Sequence, residues 1–276
     1  MKEKQEERLT YLFEAFKDDS VLYRGLETGD DYQEKRMALR FLMNIRMPGR
    51  MPENVIRVQD EFLSQEAKEK GIVEWETIPT AAEQYGSTHP FSDRLSIWQG
   101  DITRLQAGAI VNAANSQMLG CFVPCHGCID NAIHSAAGIE LREECSHYMK
   151  QRKMKYGSGY QEPVGQAVLT GGYNLPAEHV IHTVGPIVRG SLTQKLKNDL
   201  KNCYLNVLNC CAEHKIRSVA FCCISTGEFH FPNDEAAKIA VKTVTEFLQD
   251  HTDAFDRIIF NVFKDVDREL YEKELR

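Results

Sequence analysis

The apolar residues of this 276-residue chain change their period near residue 90. Before that point they recur at helical spacing. Leu9, Leu12, Phe13 and Phe16 share one face of a 3.6-residue repeat and predict a first helix. Tyr32 to Ile45 predicts a second, ended by the turns Met47-Pro48-Gly49 and Met51-Pro52, and Pro52 to Lys70 a third. Residues 71–92 read as connector, punctuated by Pro79, Gly86 and Pro90. From Leu95 onward, short runs rich in β-branched and aromatic residues alternate with helical stretches. LSIWQG, AIVNAAN, GQAVLTGGY, HVIHTVG, SVAFCCIS and RIIFNVF predict strands. Between them, Ile129, Ala132, Ile133, Ala136 and Ala137 form the stripe of a helix expected over Ile129–Arg142. Leu196, Leu200, Cys203, Tyr204, Val207, Leu208 and Cys211 form a second stripe, and Ala237 to Leu248 carries a third. Near-continuous apolar strands alternating with helices imply an α/β fold whose sheet is covered on both faces. The expected organisation is a helical extension over 1–90 and an α/β domain over 91–276. The extension holds no reactive cluster and reads as a scaffold or lid on the main domain.

Charge and cysteine usage narrow the function classes. The net charge of −7 opposes, for the molecule as a whole, binding to nucleic acid or to an anionic membrane. No run approaches the ~18 apolar residues of a membrane span. The charged start, MKEKQEERLTYLF, lacks the apolar core of a signal peptide, so a cytoplasmic location is expected. The nine cysteines are odd in number, and none precedes Cys121. Cys210-Cys211 and Cys222-Cys223 lie inside apolar segments, which suits small buried hydrophobes better than a disulfide framework. No coiled-coil signal is present, and a monomer is expected.

Ligands of open α/β sheets bind beyond the carboxyl ends of strands. Asp101 ends the first strand of the sheet, and Asn112 and Asn115 end the second. An Asp there can accept from an exocyclic amine and an Asn can hold ribose hydroxyls, although both residue types also favour turns and caps. The loop GCFVPCHGC, residues 120–128, offers two thiolates and an imidazole in Cys121, His126 and Cys128. Sulfur and nitrogen donors in a compact loop suit zinc, and three protein ligands with the fourth position open is the catalytic arrangement. Cys125 as a fourth ligand would close the site, but it adjoins His126, and adjacent side chains rarely reach one tetrahedral ion. A Cys125–Cys128 redox pair is disfavoured because it sits inside a longer loop. Asp130 and His134 are four apart and share a helix face. Asp130 suits either the first-turn dipole or a water or sugar hydroxyl beside the metal; His134 suits packing or catalysis. In CISTGEFHFPNDEAAKIA, residues 223–240, a strand is expected to end at Ser225. A polar loop follows, whose free amides can cradle a diphosphate, and a helix starts near Pro232–Asp234. GxGxxG and GxxxxGK[ST] are both absent.

GDIT at 100–103, AIVNAAN at 109–115, IDNAIHSAAG at 129–138, VIHTVGP at 180–186 and STGEFHFP at 225–232 together resemble the macrodomain family of ADP-ribose-binding modules, over residues 93–265. GCFVPCHGC stands where most macrodomains carry a glycine-rich loop, and a helical extension precedes it. More narrowly, therefore, the chain is similar to the zinc-containing macrodomains, microbial protein-ADP-ribose hydrolases. The resemblance implies a three-layer α/β/α macrodomain with a central mixed sheet. It implies that Asp101 holds the adenine amine with Ile102 beside it, and that Asn115 contacts the distal ribose. Cys121, His126 and Cys128 would bind one zinc ion. Ile129, Asp130 and Asn131 would line the phosphate and distal ribose, and Ser225, Thr226, Gly227, Glu228 and Phe229 would form the diphosphate loop. Asn115 and Asp130 would serve catalysis in a zinc-dependent hydrolase that releases ADP-ribose from mono-ADP-ribosylated proteins. Whether the metal activates water or positions the sugar stays open. The same pocket also fits a non-catalytic ADP-ribose reader with structural zinc, or a hydrolase of free acylated ADP-ribose. The implied partners are ADP-ribose and a mono-ADP-ribosylated protein whose identity stays open, a lipoyl carrier protein modified by a macrodomain-linked sirtuin being one candidate, with no nucleic acid or membrane involved. One position departs from the family: the loop usually reads GxFGFP, and His230 replaces the second glycine. If φ there must be positive, a histidine costs about 1 kcal/mol of strain.

Overall fold

A computed structural model describes residues 2–276. Three helices open the chain, α1 (Lys2–Asp19), α2 (Tyr32–Ile45) and α3 (Glu53–Lys70). Leu9, Leu12, Phe13 and Phe16 of α1 are buried with Leu39, Leu42 and Met43 of α2 and Val55, Phe62 and Leu63 of α3, forming a core of their own. Asp31 caps α2 by accepting from the Glu34 amide. Arg36 and Glu66 join α2 to α3 through two parallel bonds of 2.7 and 2.8 Å.

The stretch that reads as connector carries more structure than its punctuation suggests. β1 (Val73–Glu74) pairs with β3 (Leu105–Gln106), and α4 (Ala81–Tyr85) follows a capping box between Thr80 and Glu83. The T-x-x-E spacing at 80–83 encodes that helix start. All six expected strands enter one sheet: β2 (Leu95–Gln99), β4 (Ala109–Ala114), β5 (Ala167–Gly171), β6 (His179–Val184), β7 (Ser218–Phe221) and β8 (Arg257–Val262). Their order is β2-β8-β7-β4-β6-β5; all neighbours run parallel except β5, which is antiparallel to β6, so the sheet is mixed. The remaining helices are α5 (Ile129–Ala137), α6 (Ile139–Tyr156), α7 (Gln194–Glu213), α8 (Asn233–Asp250) and α9 (Asp265–Leu275). Every residue of β7 is buried, and so is all of β4 but Ala113, because helices flank the sheet on both faces.

Two elements end earlier than their apolar patterns imply. The helix expected over Ile129–Arg142 breaks at Gly138, whose φ is 100°. A β-carbon there would lie 2.7 Å from Gln59 Nε2 of α3, and the Ile139 amide donates to Gln59 Oε1 at 3.1 Å. β7 stops at Phe221 rather than Ser225, because Ser225 takes a left-handed φ of 66° and turns the chain. The nine cysteines are free, and no described helix is long and apolar enough to cross a membrane.

Candidate functional site

Five parallel strands end on one side of the sheet, and their carboxyl ends build one crevice. Following the sheet order, β2 delivers Asp101, β8 delivers Phe263, β7 the loop 222–231, and β4 delivers Asn115 and the metal-type loop that runs into α5.

At the β2 end, Asp101 Oδ1 accepts from the Thr103 amide and hydroxyl at 3.0 and 2.7 Å, which leaves Oδ2 for another donor. Ile102 is buried in the short turn that follows. Beside them Phe263, directly after β8, is 76% exposed although it is a large aromatic at a strand end. Gln99 donates to its carbonyl at 3.2 Å, which ties the β8 end to β2.

In the middle, the chain after β7 folds into a tight loop. Thr226 donates its hydroxyl to the Cys223 carbonyl at 3.0 Å, His230 its amide to Gly227 at 3.0 Å, and Phe231 its amide to Ser225 at 2.9 Å. Among the described residues, the amides of Gly227, Glu228 and Phe229 donate to no backbone carbonyl. These free donors stand where an anion can take them. His230 has a φ of 55°, so the position that usually holds glycine does need the left-handed conformation, and the histidine bears its strain. Ser225 is buried and its hydroxyl has no partner. Gly185, just past β6, makes room for it: a β-carbon at Gly185 would lie 2.0 Å from Ser225 Oγ.

At the β4 end, the chemistry-bearing side chains converge. Cys121 Sγ lies 3.8 Å from His126 Nδ1, and one donor atom of each of Cys121, His126 and Cys128 lies within 4.8 Å of the others. A tetrahedral ion with bonds of about 2.0–2.3 Å separates its ligands by roughly 3.5–3.8 Å, so small rotations bring the three to one ion. Cys125 is outside the group: its thiol faces the Met37 carbonyl at 3.6 Å. Cys128 caps α5 by accepting from the Asn131 amide at 3.4 Å. Burial pushes the Cys128 thiol up to about 12, opposed by that amide and aided by Cys121; a cation held between the two sulfurs would remove this penalty. The donor set and its geometry therefore fit a zinc ion with an open coordination position.

Asp130 is the buried carboxylate next to this loop. Its Oδ1 accepts from Asn112 at 2.8 Å and its Oδ2 from Asn115 at 3.3 Å, so it caps no helix amide. Asn115 also donates to the Gly120 carbonyl at 3.1 Å, fixing the start of the metal-type loop. Asn112 is fully buried behind Asp130 and does not line the crevice. It donates also to His182 Nδ1 at 3.0 Å, and His182 Nε2 faces the Thr170 hydroxyl at 2.9 Å. This chain of bonds fixes the carboxylate's orientation. Burial raises Asp130 to about 6, opposed by Asn112, Arg142 and Asn115. Burial also lowers His182 to about 3 and His134 well below the ordinary histidine value, so both rings are neutral. His134 Nε2 lies 3.5 Å from Asp130 Oδ1, as the i,i+4 spacing implies, but the ring makes no hydrogen bond. Ile129 is half-buried at the helix start. The side chain of Asn131 is fully buried and committed to the protein, accepting from Arg40 at 2.6 Å and donating to Asn44 at 3.1 Å and to the Val123 carbonyl at 3.0 Å. Glu228 of the β7 loop comes 3.9 Å from His126 Nε2.

The sequence alone points to no role for Phe263, Gly185, Arg40, Asn44 or His182, although His182 and Gly185 lie within the VIHTVGP motif. In α2, Arg40 and Asn44 are polar, one turn apart and on one face, beside the apolar Leu39, Leu42 and Met43.

Comparison with known proteins agrees with this geometry. A Macro domain family model matches residues 111–240. The protein-ADP-ribose hydrolase of Treponema medium is 42% identical over 270 residues, spanning 98% of each chain. The protein-ADP-ribose hydrolase of Staphylococcus aureus strain Mu50 is 39% identical over 269 residues, 97% of this chain and 95% of that one. Among solved structures, the Trypanosoma brucei macrodomain in complex with ADP-ribose superposes with a TM-score of 0.63 at 27% identity, covering 88% of this chain and 95% of that one. With full-length identity of this order and the same sheet, the chain belongs to the macrodomain family.

Proposed function

We propose that this protein is a zinc-dependent, cytoplasmic hydrolase that releases ADP-ribose from mono-ADP-ribosylated proteins. The observation that carries the reading is the Cys121–His126–Cys128 triad standing beside the buried carboxylate of Asp130, at one end of a crevice suited to ADP-ribose. The order of strand ends matches the order of the ligand's parts. Asp101 and Phe263 suit an adenine, the one by accepting from its amine and the other by stacking. One and two strands further along, the free amides of 227–229 suit the diphosphate. At β4, Asn115 and Asp130 suit the distal ribose. The path from β2 to β4 crosses three inter-strand steps of about 4.8 Å, long enough to need an extended ligand. The hydrolase names of the Treponema and Staphylococcus relatives and the ADP-ribose in the Trypanosoma structure support the same ligand and reaction.

Zinc held by Cys121, His126 and Cys128 would supply Lewis acidity to a water or a ribose hydroxyl. The remaining work falls to the chain. The amides at 227–229 and the β2–β8 end supply binding energy remote from the reacting carbon, which holds that carbon in place. Asn112 and Asn115 aim the two oxygens of Asp130. With its pKa near 6, Asp130 is largely ionised at neutral pH and can orient a water or offset positive charge growing on the sugar ring.

The test is release of free ADP-ribose from a mono-ADP-ribosylated protein, followed by mass spectrometry, with metal-replete, metal-stripped and Cys128→Ala protein. A modified lipoyl carrier protein is the first substrate to offer. Release by the replete form and loss of release in the other two is expected. Wild-type turnover by folded, metal-free protein would sink the catalytic role of zinc.

A further inference from the structure

The loop between Cys121 and Cys128 has little structure of its own. It lies between β4 and α5, and its internal backbone bond is His126 to Val123 at 3.2 Å. Cys125 holds a left-handed φ of 52°, a conformation a cysteine keeps only when its surroundings impose it. What imposes it comes from α2, more than 80 residues earlier. Asn44, 2% exposed, accepts from the Cys125 amide at 2.9 Å and from Asn131 Nδ2 at 3.1 Å, and donates to Ser135 at 2.9 Å. Arg40, one turn back on the same face, donates to the His126 carbonyl at 3.3 Å and to Asn131 Oδ1 at 2.6 Å. Asn131 passes the tie on to the Val123 carbonyl at 3.0 Å. The end of α2 is pinned in turn. Arg142 Nη1 donates to the carbonyls of Met43, Asn44 and Arg46, and its guanidinium lies 4.4 Å from the ring of Phe122 in the loop.

We propose that Arg40 and Asn44 are positioning residues of the metal centre, and that α2 forms its outer wall. The inference rests on the zinc reading of Cys121, His126 and Cys128. These bonds reach the backbone at Cys125 and His126, so they set the spacing of the ligands rather than merely gluing two units together. The scaffold-like helical extension is thereby part of the site. A loop so held meets the ion preformed, and its loss is felt as weaker metal binding; outer partners of metal ligands are worth about 10–100-fold in affinity.

The experiment is zinc competition against a chromophoric chelator, using the full-length chain as wild type, Arg40→Ala, Asn44→Ala and Asn44→Asp. Cobalt(II) spectra of the same proteins report on the ligand geometry. Asn44→Asp keeps the acceptor for the Cys125 amide, and Ser135 can turn to donate. Leu39→Ala is the control: it weakens α2 within the core of the extension without touching the loop. The expected result is about tenfold weaker zinc binding and altered thiolate–cobalt bands for Arg40→Ala and Asn44→Ala, with recovery in Asn44→Asp and no shift for Leu39→Ala. Arg40 is only half-buried, so its variant serves if Asn44→Ala does not fold. Wild-type zinc affinity in folded Arg40→Ala overturns the inference, as does an equal loss in Leu39→Ala. A wild-type chain that takes up no zinc overturns the metal reading itself, and the inference with it.

Discussion

Gly185→Ala separates the role of the β7 loop from that of the metal. The added β-carbon would lie 2.0 Å from Ser225 Oγ, 3.3 Å from Ser225 Cβ and 3.0 Å from Ile224 Cγ2. The hydroxyl can rotate, but Ser225 and Ile224 are both buried, so rotation alone does not clear the methyl. Overpacking a filled interior by a methyl costs about 1–3 kcal/mol. Carried by the whole fold, that lowers the melting temperature by roughly 2–5 °C, taking the average unfolding entropy per residue for a chain of this length. Carried by the loop, every 1.4 kcal/mol is about a tenfold loss of ADP-ribose affinity. Calorimetric titration with ADP-ribose beside thermal unfolding reads both shares, and zinc content should not change. A second change, Ser225→Gly, removes the two Ser225 atoms, leaves only the 3.0 Å approach of Ile224 Cγ2, and accepts the φ of 66° without strain. The double variant should recover most of the lost affinity and melting temperature. A single variant that binds ADP-ribose within about twofold of wild type and melts at the same temperature refutes the contact's importance.

Phe263→Ala should weaken ADP-ribose and ADP by about tenfold, as a lost stacking partner does, yet leave ribose 5-phosphate unaffected in competition binding. Asp130→Asn should lower single-turnover cleavage by about 100-fold while ADP-ribose still binds; an unchanged rate removes Asp130 from the chemistry. His230→Gly releases the strain at φ 55°. It should raise the melting temperature by up to about 2 °C, less whatever glycine's extra chain entropy takes back, whereas His230→Ala should gain nothing. Burial works to raise the pKa of Glu66, but hydrogen bonds and charge from Arg36 outweigh it and hold the group below its ordinary value of 4.5. The pair's stabilisation is therefore full above pH 4.5 and fades as pH falls through the lowered pKa. Urea midpoints for Glu66→Gln and wild type should differ at pH 7 and converge in acid.

The periodic part of the fold was legible because periodicity reports burial. α2 spans Tyr32–Ile45 as its pattern predicts, and all six apolar runs became strands of one sheet. The misplaced boundaries share a cause. β7 stops early because Ser225 turns left-handed against Gly185, and α5 breaks at Gly138 against Gln59. In each case a residue remote in sequence decides, and no local window contains it. The site divides in the same way. The donor types and spacing of Cys121, His126 and Cys128 advertise metal chemistry on their own, and the structure brings the three together. The supports do not advertise themselves. Arg40 and Asn44 act across 81–91 residues, and Asn112 and His182 meet only because β4 and β6 are neighbours.

The departures from good local practice gather around the crevice, which bears on function independently of any resemblance. Non-glycine residues with positive φ are Phe91, Met118, Cys125, Tyr173, Lys215, Ser225 and His230; Met118, Cys125, Ser225 and His230 lie in the two loops that follow β4 and β7. There too stand a carboxylate raised to about 6 by burial, a buried His134 with neither nitrogen bonded, and a buried Ser225 hydroxyl without a partner. Each of these costs stability, and folding alone would replace them with glycine or apolar side chains. They are tolerated together where the strand ends open. The two loops also differ in chemistry: the free amides after β7 suit binding, whereas Asp130 and the Cys121, His126 and Cys128 donors after β4 suit reaction. Glu228 approaches His126 Nε2 at 3.9 Å, which places the β7 loop beside the β4 loop. On the proposed reading, a diphosphate seated on the β7 loop would fix the neighbour of a candidate metal ligand. That is how binding energy from an unreactive part of the substrate can be spent on positioning at the carbon that reacts.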